Sequence, residues 1–465
     1  MRARLLLLAA ALAAFGGSLG SGFHFDDYAI FPSGGLEPPW WLETRPLTFL
    51  TFWLNSRLGG AGAIGYHAFN LALHLAAVLL LYECLRRLIP PKAALLAAAI
   101  FAVHPIQAEA VDYVWGRSIV LAAALCFASL LAWIAGRRWM AVAWFAAALL
   151  AKEEVAAFPL VLWLFEKRRR PTPPILSMLF LSLAAGLRVI YAAAATPASL
   201  AGAHAGITPW HYLLAQGPVL WRYLRLLVIP YGFTVDPEIA VPPLWLGCAA
   251  WAALGALLLA AWRRRSDWTP WLVAGFLLLI PSSTIFPAAD LAADRRLYLP
   301  LAAFTAAAAL ALARLRPRAV APAVVLVLTA LAFARTEVWM TEESLWREAV
   351  RRAPGKVRPK IQLARQLPPA GALELLAEAR RLAPADPAVA TETGKVLLAA
   401  NLPAQALAEF GRALALDPRD PRNYNNRGVA LEALGQTEAA KQDFVRALKL
   451  DPNLATAREN LSRLQ

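Results

Sequence analysis

The sequence predicts an all-α protein in which a membrane domain of many helices is followed by a short helical solenoid. Three observations lead to this fold class. Of the 465 residues, 59% are hydrophobic and 17% are charged, which is more apolar than a typical soluble domain. The apolar residues form long stretches suited to crossing a bilayer. After residue 335 the chain is instead polar, helical in pattern and repetitive.

The membrane prediction rests on about eleven apolar segments, each a candidate spanning helix. They are residues 4–21, 66–85, 93–104, 117–135, 139–151, 155–166, 175–196, 244–262, 268–287, 297–314 and 319–335. Some are too short to cross alone, so we expect irregular backbone there that lines a cavity. Residues 210–230 are also apolar, but two arginines interrupt them, and we expect an interfacial or re-entrant helix. The first segment resembles a signal peptide, so cleavage is an alternative to a retained helix.

Basic residues fall in short runs between these segments, which accounts for the net charge of +15. Such runs set membrane topology rather than bind nucleic acid. They are Arg2/Arg4, Arg86/Arg87/Lys92, Arg137/Arg138, residues 167–170, Arg263 to Arg265, and Arg314/Arg316/Arg318. All share one side if the N-terminus is cytoplasmic. The opposite, outer face then receives residues 22–65, 104–116, 151–154, 197–243 and 288–296, together with the repeats. Abundant Ala, Leu and Arg with few Lys suggests a GC-rich bacterial genome, so we expect an integral inner-membrane protein with periplasmic repeats.

The C-terminal part repeats with a period of 34 residues. The aligned sets are Ala372/Ala406/Ala440, Leu376/Phe410/Phe444, Ala379/Ala413/Ala447 and Pro384/Pro418/Pro452, and Gly394 matches Gly428. Small residues where two helices touch, with a proline closing each unit, are typical of tetratricopeptide repeats. We therefore divide the chain into a membrane domain at 1–335, a docking segment with a degenerate repeat at 336–386, and tetratricopeptide repeats at 387–465.

The sequence favours neither a metal site nor a disulfide framework. Cys84, Cys126 and Cys248 lie in apolar stretches without CxxC spacing. His67 and His74 share one helix face with Asn70 between them, but no third ligand has convincing spacing. That face could line a cavity or pack against a neighbouring helix.

Ionisable residues concentrate in the predicted outer loops, where their cost near the bilayer favours a functional site. They are Asp26 and Asp27 after the first span; His104, Glu109, Asp112 and Arg117 in the second loop; Lys152, Glu153 and Glu154; and Asp290, Asp294, Arg295 and Arg296 before the tenth span. Structural alternatives remain open. The aspartates could simply end a helix, Glu109 could pair with Arg117, Lys152 could neutralise its neighbours, and the two arginines could be interfacial anchors.

Several motifs together resemble the transmembrane and tetratricopeptide repeat family of O-mannosyltransferases. They are Phe25-Asp-Asp-Tyr28, Arg45-Pro-Leu-Thr48, Gly65 to His74, Phe101-Ala-Val-His-Pro-Ile-Gln-Ala-Glu-Ala-Val111, Trp115-Gly-Arg117, Ala151-Lys-Glu153 and Arg295-Arg-Leu-Tyr-Leu-Pro300. The resemblance covers nearly the whole chain, and the block after Phe101 is its most specific element. It implies the glycosyltransferase C fold and transfer of mannose or a similar hexose from a polyprenyl-phosphate carrier to a protein hydroxyl outside the cytoplasm, with inversion.

The resemblance also implies roles for individual residues. Asp26 or Asp27 would be the base that deprotonates the acceptor. Arg295 or Arg296 would bind the donor phosphate, with Lys152 and Arg117 as secondary candidates. The residues implied to contact substrate or to structure the loops are His104, Glu109, Glu153, Arg45, His67 and Tyr298. No metal or other cofactor is implied, and the lipid-linked sugar is a substrate.

The repeat array is short beside those of the family's animal members, which leaves the sugar and the acceptor open. The repeats could recruit a protein partner. Two other function classes make different predictions. A non-catalytic membrane scaffold would tolerate loss of the aspartates. A transporter would show inverted internal repeats, and the sequence has no such symmetry.

Overall fold

A computed structural model describes residues 1–30, 44–60, 62–166, 170–195, 206–283, 286–288, 290–313 and 320–464. The predicted all-α fold is confirmed, because the regular structure of these residues is helical. The chain forms two compact units, Met1–Thr341 and Glu342–Gln465. The basic runs at 167–169 and 314–318, which supported the predicted topology, lie outside the described residues.

The first unit contains fifteen α-helices in the described part of the chain. They are α1 Arg2–Phe15, α2 Asp27–Ile30, α3 Pro46–Gly59, α4 Ala63–Leu88, α5 Pro91–Val103, α6 Ala108–Val111, α7 Arg117–Ile134, α8 Arg138–Ala151, α9 Phe158–Phe165, α10 Pro173–Ala195, α11 Pro209–Val228, α12 Leu244–Arg263, α13 Thr269–Leu279, α14 Tyr298–Leu312 and α15 Val320–Val338. Short 3₁₀ turns extend several of them, namely Gly16–Gly20, Pro105–Gln107, Val114–Gly116, Glu153–Ala157 and Asp294–Leu297.

Seven helical segments among the described residues are long and apolar enough to cross a membrane, so this is a multi-pass membrane protein. They are Arg2–Gly20, Ala63–Leu88, Val114–Ile134, Pro173–Ala195, Leu244–Arg263, Asp294–Leu312 and Val320–Val338. The bent pair Pro91–Val103 and Pro105–Val111 adds an eighth if it is counted as one span. All eleven predicted segments coincide with helices, but α8, α9 and α13 are short for a bilayer. The count of eleven therefore stays a prediction.

The centre of the unit is a group of helices rich in small residues. Helix α4 packs against α5 and α7, and α14 packs against α5 and α13. Close approach requires small side chains: a Cβ at Gly275 of α13 would lie 2.5 Å from the Phe304 ring of α14. Helix α1 is part of this packing, because its Leu7, Ala11, Ala14 and Phe15 are buried and it lies against α4, α5 and α15.

Two breaks in the helices bring polar residues to one end of the unit. Helix α5 stops at His104, where the following proline has no N–H to continue the helix, and the next helical segment turns by 48°. Helix α8 stops at Lys152, and a 3₁₀ turn carries the next two glutamates. The expected irregular backbone beside short spans is present at both places.

The second unit is a solenoid of helix pairs. Its helices are α16 Glu342–Arg352, α17 Val357–Ala364, α18 Pro369–Leu382, α19 Pro387–Ala399, α20 Pro403–Leu416, α21 Pro421–Ala433, α22 Thr437–Leu450 and α23 Ala455–Arg463. Ala406, Phe410 and Ala413 of α20 are fully buried, as are their counterparts one period later in α22. A Cβ at Gly428 would lie 2.5 Å from the Phe444 ring, which explains the matched glycines. The predicted repeat is thus confirmed; its docking through residues 336–386 stays a prediction.

Candidate active site

The acidic loop, residues 21–28, leads from the first span into α2. Phe25 adopts a φ of +43°, a conformation uncommon for a non-glycine residue, and the turn closes where Asp27 N donates to the His24 carbonyl at 2.9 Å. The turn separates two carboxylates that are adjacent in sequence. Asp26 is exposed, whereas Asp27 is fully buried.

Asp27 is an anchor for the loop. Its Oδ2 accepts the backbone N–H of His24 at 2.9 Å, and its Oδ1 accepts that of Trp115 in the second loop at 3.0 Å. Burial raises the pKa of Asp27 to about 8, and the two backbone hydrogen bonds act in the opposite direction. One oxygen thus closes the turn of the first loop, and the other joins that loop to the second.

Asp26 reaches solvent and contacts the second loop through Tyr113. The Tyr113 hydroxyl donates to Asp26 Oδ2 at 3.1 Å, and Asp26 N lies 3.3 Å from the same hydroxyl oxygen. Burial and the neighbouring carboxylates raise the pKa of Tyr113, so the hydroxyl keeps its proton and serves as the donor. Of the two predicted base candidates, Asp26 alone combines exposure with an oriented carboxylate.

Arg117 differs from its expected role as a phosphate ligand. It is fully buried, and it donates to Asn70 Oδ1 and Asn55 Oδ1, each at 2.8 Å. It also donates to the carbonyls of Thr51 and Tyr66, at 3.2 and 3.0 Å. We correct that expectation, because this guanidinium holds α3, α4 and α7 together and uses four of its five N–H donors inside the protein.

Glu109 and Arg295 form a close ion pair that joins the second loop to the start of α14. Glu109 also accepts the Arg295 backbone N–H at 3.1 Å, and Asp290 lies 3.8 Å from the guanidinium. The alternative pairing of Glu109 with Arg117 does not occur. Since acidic groups already surround Arg295, its ability to attract a phosphate is reduced.

Arg45 and Glu153 form a second cross-loop pair. Two guanidinium nitrogens donate to the carboxylate at 2.6 and 3.0 Å, the forked geometry that arginine provides. Burial opposes ionisation, yet Arg45 lowers the pKa of Glu153 to about 2. The pair fixes the start of α3 to the break after α8, beside the hydrogen bond from the Thr48 hydroxyl to the Ala151 carbonyl at 2.9 Å.

Lys152 and Arg296 line one small cavity with Glu154 and Ser282. Lys152 is 5% exposed, and its Nζ lies 3.4 Å from Glu154. Glu154 therefore compensates part of the charge of Lys152, in agreement with the alternative that this lysine neutralises its acidic neighbours. Burial lowers the pKa of Lys152 to about 8. Arg296 donates to the Asp290 carbonyl at 2.8 Å and is otherwise directed to neutral oxygens. Of Arg295 and Arg296, Arg296 is thus the one whose described hydrogen bonds include no carboxylate.

The three remaining predicted residues are buried within the protein. His104 accepts the Ile106 N–H at 3.2 Å and so caps the turn after α5. His67 donates to the Gly22 carbonyl at 3.0 Å. Tyr298 lies 2.7 Å from His74 Nδ1. The helix face with His67 and His74 therefore packs against neighbouring elements and does not line an open cavity.

Sequence reasoning missed two aromatic residues of the site, Tyr113 and Trp339. Tyr113 lies inside the recognised second loop, and its position next to Asp112 was the available signal. Trp339 follows the last span and is fully buried against His24, Phe25 and Tyr113. No pattern in the sequence connects it to a loop more than three hundred residues earlier.

An apolar groove of about 320 Å³ opens beside the site. Its sides are residues of α8 and α10, among them Leu149, Leu150 and Leu181. Two charged residues also line the groove, Arg188 and Glu153, the latter paired with Arg45. The groove can therefore hold a hydrocarbon chain with its polar end directed at the charged loops.

The comparisons agree with the resemblance in the sequence. Protein O-mannosyl-transferase Tmtc1 of Drosophila melanogaster is 44% identical over 97 residues, which are 21% of this chain and 11% of that protein. Protein O-mannosyl-transferase F38B6.6 of Caenorhabditis elegans is 27% identical over 281 residues, 56% of this chain and 41% of that protein. Over these segments the chain is similar to the protein O-mannosyl-transferases. It spans less than half the length of either curated relative.

Residues 421–454 match the tetratricopeptide repeat family model, in agreement with the 34-residue period. Among solved structures, the first TPR of Spaghetti (RPAP3) bound to HSP90 peptide SRMEEVD is 25% identical, with a TM-score of 0.22, over 23% of this chain and 85% of that one. The repeats thus follow a membrane unit whose first and second loops meet where Tyr113 donates to Asp26.

Proposed function

We propose that the protein is a membrane glycosyltransferase of the glycosyltransferase C fold. It moves mannose or a similar hexose from a polyprenyl-phosphate carrier to a hydroxyl of a protein acceptor, with inversion. The observation that carries the proposal is the contrast within the acidic loop: Asp26 is exposed and oriented by Tyr113, while Asp27 is buried and anchors the loop. The similarity to protein O-mannosyl-transferases supports it.

In the proposed reaction, Asp26 accepts the proton of the acceptor hydroxyl as that oxygen attacks the anomeric carbon of the sugar. The bond between this carbon and the phosphate oxygen breaks, and its electron pair leaves with the polyprenyl phosphate. A single displacement at the anomeric carbon inverts its configuration. No carboxylic acid is needed for the leaving group, because cations can stabilise the charge on a phosphate.

Lys152 and Arg296 are the best candidates for that stabilisation. They line the same small cavity, whereas Arg45 and Arg295 are engaged by Glu153 and Glu109. We assign Arg45 and Arg295 to holding the loops together and to the positive electrostatic potential of the site. The apolar groove between α8 and α10 would hold the carrier's hydrocarbon chain, with Arg188 and Glu153 near its polar end.

We further propose that the N-terminus is cytoplasmic and that the acidic loop and repeats face the periplasm of a bacterium. The distribution of basic runs supports this orientation. The repeats would then meet the protein acceptor or a partner protein on the side where transfer occurs.

The experiment replaces Asp26 and Asp27 singly with Asn in protein reconstituted in liposomes, with Asp267→Asn in the loop after α12 as the matched control. Sugar release is followed from polyprenyl-phosphate mannose and from polyprenyl-phosphate glucose. Loss of the base should reduce turnover by about 10²-fold to 10⁴-fold in the Asp26 variant, with the control unchanged. Full activity of Asp26→Asn would refute the assignment, and absence of turnover by the unmodified protein with both donors would favour a scaffold.

A further inference from the structure

The residues that follow α15 form one wall of the acidic loop. Trp339 donates no side-chain hydrogen bond to any described residue, yet it is fully buried. Its ring is stacked with that of Tyr113, with centroids 5.9 Å apart and an angle of 27° between the planes. The rings of His24 and Phe25 meet its edge or face at 5.7 and 6.3 Å. One indole thus contacts three residues that hold the two aspartates.

Backbone contacts strengthen this attachment. His24 Nε2 donates to the Trp339 carbonyl at 2.7 Å, and Gly22 N donates to the Met340 carbonyl at 3.4 Å. One turn earlier, the Thr336 hydroxyl donates to Asp112 Oδ2 at 2.9 Å. Residues 336–340 are the end of α15 and the two residues after it, and we call them the α15 clamp. The clamp therefore binds the first loop and the second loop at the same time.

The clamp acts on Asp26 through a short series of contacts. Tyr113, which orients the Asp26 carboxylate, is stacked on Trp339. His24, whose N–H binds Asp27, is held by the Trp339 carbonyl and ring. Removing the indole would leave a large cavity beside Tyr113 and Phe25, and surrounding side chains fill such cavities only in part. The Asp26 carboxylate would then lose its fixed position.

We propose that Trp339 is a positioning residue for the base Asp26, an inference that rests on the proposed function. Its ring sets the stacking of Tyr113 and the turn at Phe25, so its size and planarity matter more than its N–H group. Trp339→Phe should then keep Asp26 mostly in position, because a smaller aromatic ring can still stack on Tyr113 and no hydrogen bond is lost.

The test compares Trp339→Ala and Trp339→Phe with Trp271→Ala. Trp271 is a matched control, since it is a nearly buried tryptophan of the membrane unit that packs on Phe165 of α9. In reconstituted protein, we expect Trp339→Ala to lower kcat about tenfold to a hundredfold, since small misplacements of a catalytic group have effects of this size. The KM for the lipid-linked donor should stay within about twofold, because the donor's binding groups remain. Trp339→Phe should restore most of kcat.

Hydrogen exchange of the same proteins, followed by mass spectrometry, separates this inference from the proposed function. Trp339→Ala should speed exchange in peptides that cover 22–28 and 113–116, whereas Trp271→Ala should not. Unchanged exchange in these peptides would overturn the positioning role, as would faster exchange with an unaltered kcat. If the unmodified protein shows no transfer, the proposed function fails, and exchange alone decides whether Trp339 holds the loop. Should Trp339→Ala not fold, the same two readouts on Trp339→Phe and Trp339→Leu distinguish a planar ring from simple bulk.

Discussion

The substitution Asp27→Asn tests whether the second aspartate is a buried anchor. An asparagine side chain can accept only one of the two backbone N–H groups that now bind the carboxylate, those of His24 and Trp115 at 2.9 and 3.0 Å. The other N–H would face the amide NH₂ and lose its acceptor. A buried donor left without a partner costs about 1–3 kcal/mol, so at low pH the variant should be less stable by about this amount.

The pH dependence of this difference follows from the raised pKa. Burial raises the pKa of Asp27 from 3.8 to about 8, so the folded protein binds this proton more tightly than the unfolded chain does. The stabilisation is fully present below pH 4 and is lost as pH rises toward 8, at up to about 1.4 kcal/mol per pH unit. Asparagine does not titrate. The stability advantage of the unmodified protein over Asp27→Asn should therefore shrink with rising pH and reverse before pH 8.

The assay is the melting temperature of both proteins in detergent micelles at pH 5, 6, 7 and 8, read from tryptophan fluorescence. Titration of His24, whose pKa burial lowers to about 4, contributes to both proteins and cancels in the difference. Asp26→Asn is the control, because its exposed carboxylate accepts no backbone N–H from any residue that the structure describes. Parallel melting curves for the unmodified protein and Asp27→Asn across this range would refute the anchor role.

Two further predictions concern the phosphate site and the repeats. Burial lowers the pKa of Lys152 to about 8, so the proposed transfer should slow as pH rises above 8. Lys152→Arg should keep its rate at pH 9. Equal pH profiles of the unmodified protein and Lys152→Arg would contradict a charged Lys152 at the phosphate. In the repeat unit, Gly428→Ala would place a Cβ 2.5 Å from the Phe444 ring and should cost about 1–3 kcal/mol through overpacking, measured by thermal unfolding followed by circular dichroism. Gly411→Ala is its control, because no atom lies within 4 Å of that Cβ, and an equal loss of stability in the two variants would disprove the packing argument.

The sequence by itself determined the all-α class, the apolar helices and the repeats, because these follow from local patterns. A 34-residue period fixes which alanine, glycine and phenylalanine side chains meet, since contacts within a repeat join neighbours in the chain. The bend after α5 was equally readable from His104-Pro105, because proline cannot supply the N–H of a continuing helix.

Only the tertiary structure decided what the charged residues do. Asp26 and Asp27 are adjacent and chemically identical, and their difference arises from Tyr113 and Trp115, which approach from another loop. Arg117 was an expected phosphate ligand because its charge was visible, while its hydrogen bonds to Asn70 and Asn55 were not. A carboxylate or guanidinium is defined by which partners reach it and whether water does. Those partners come from elements far apart in the chain, so no local pattern could have separated the base from its anchor.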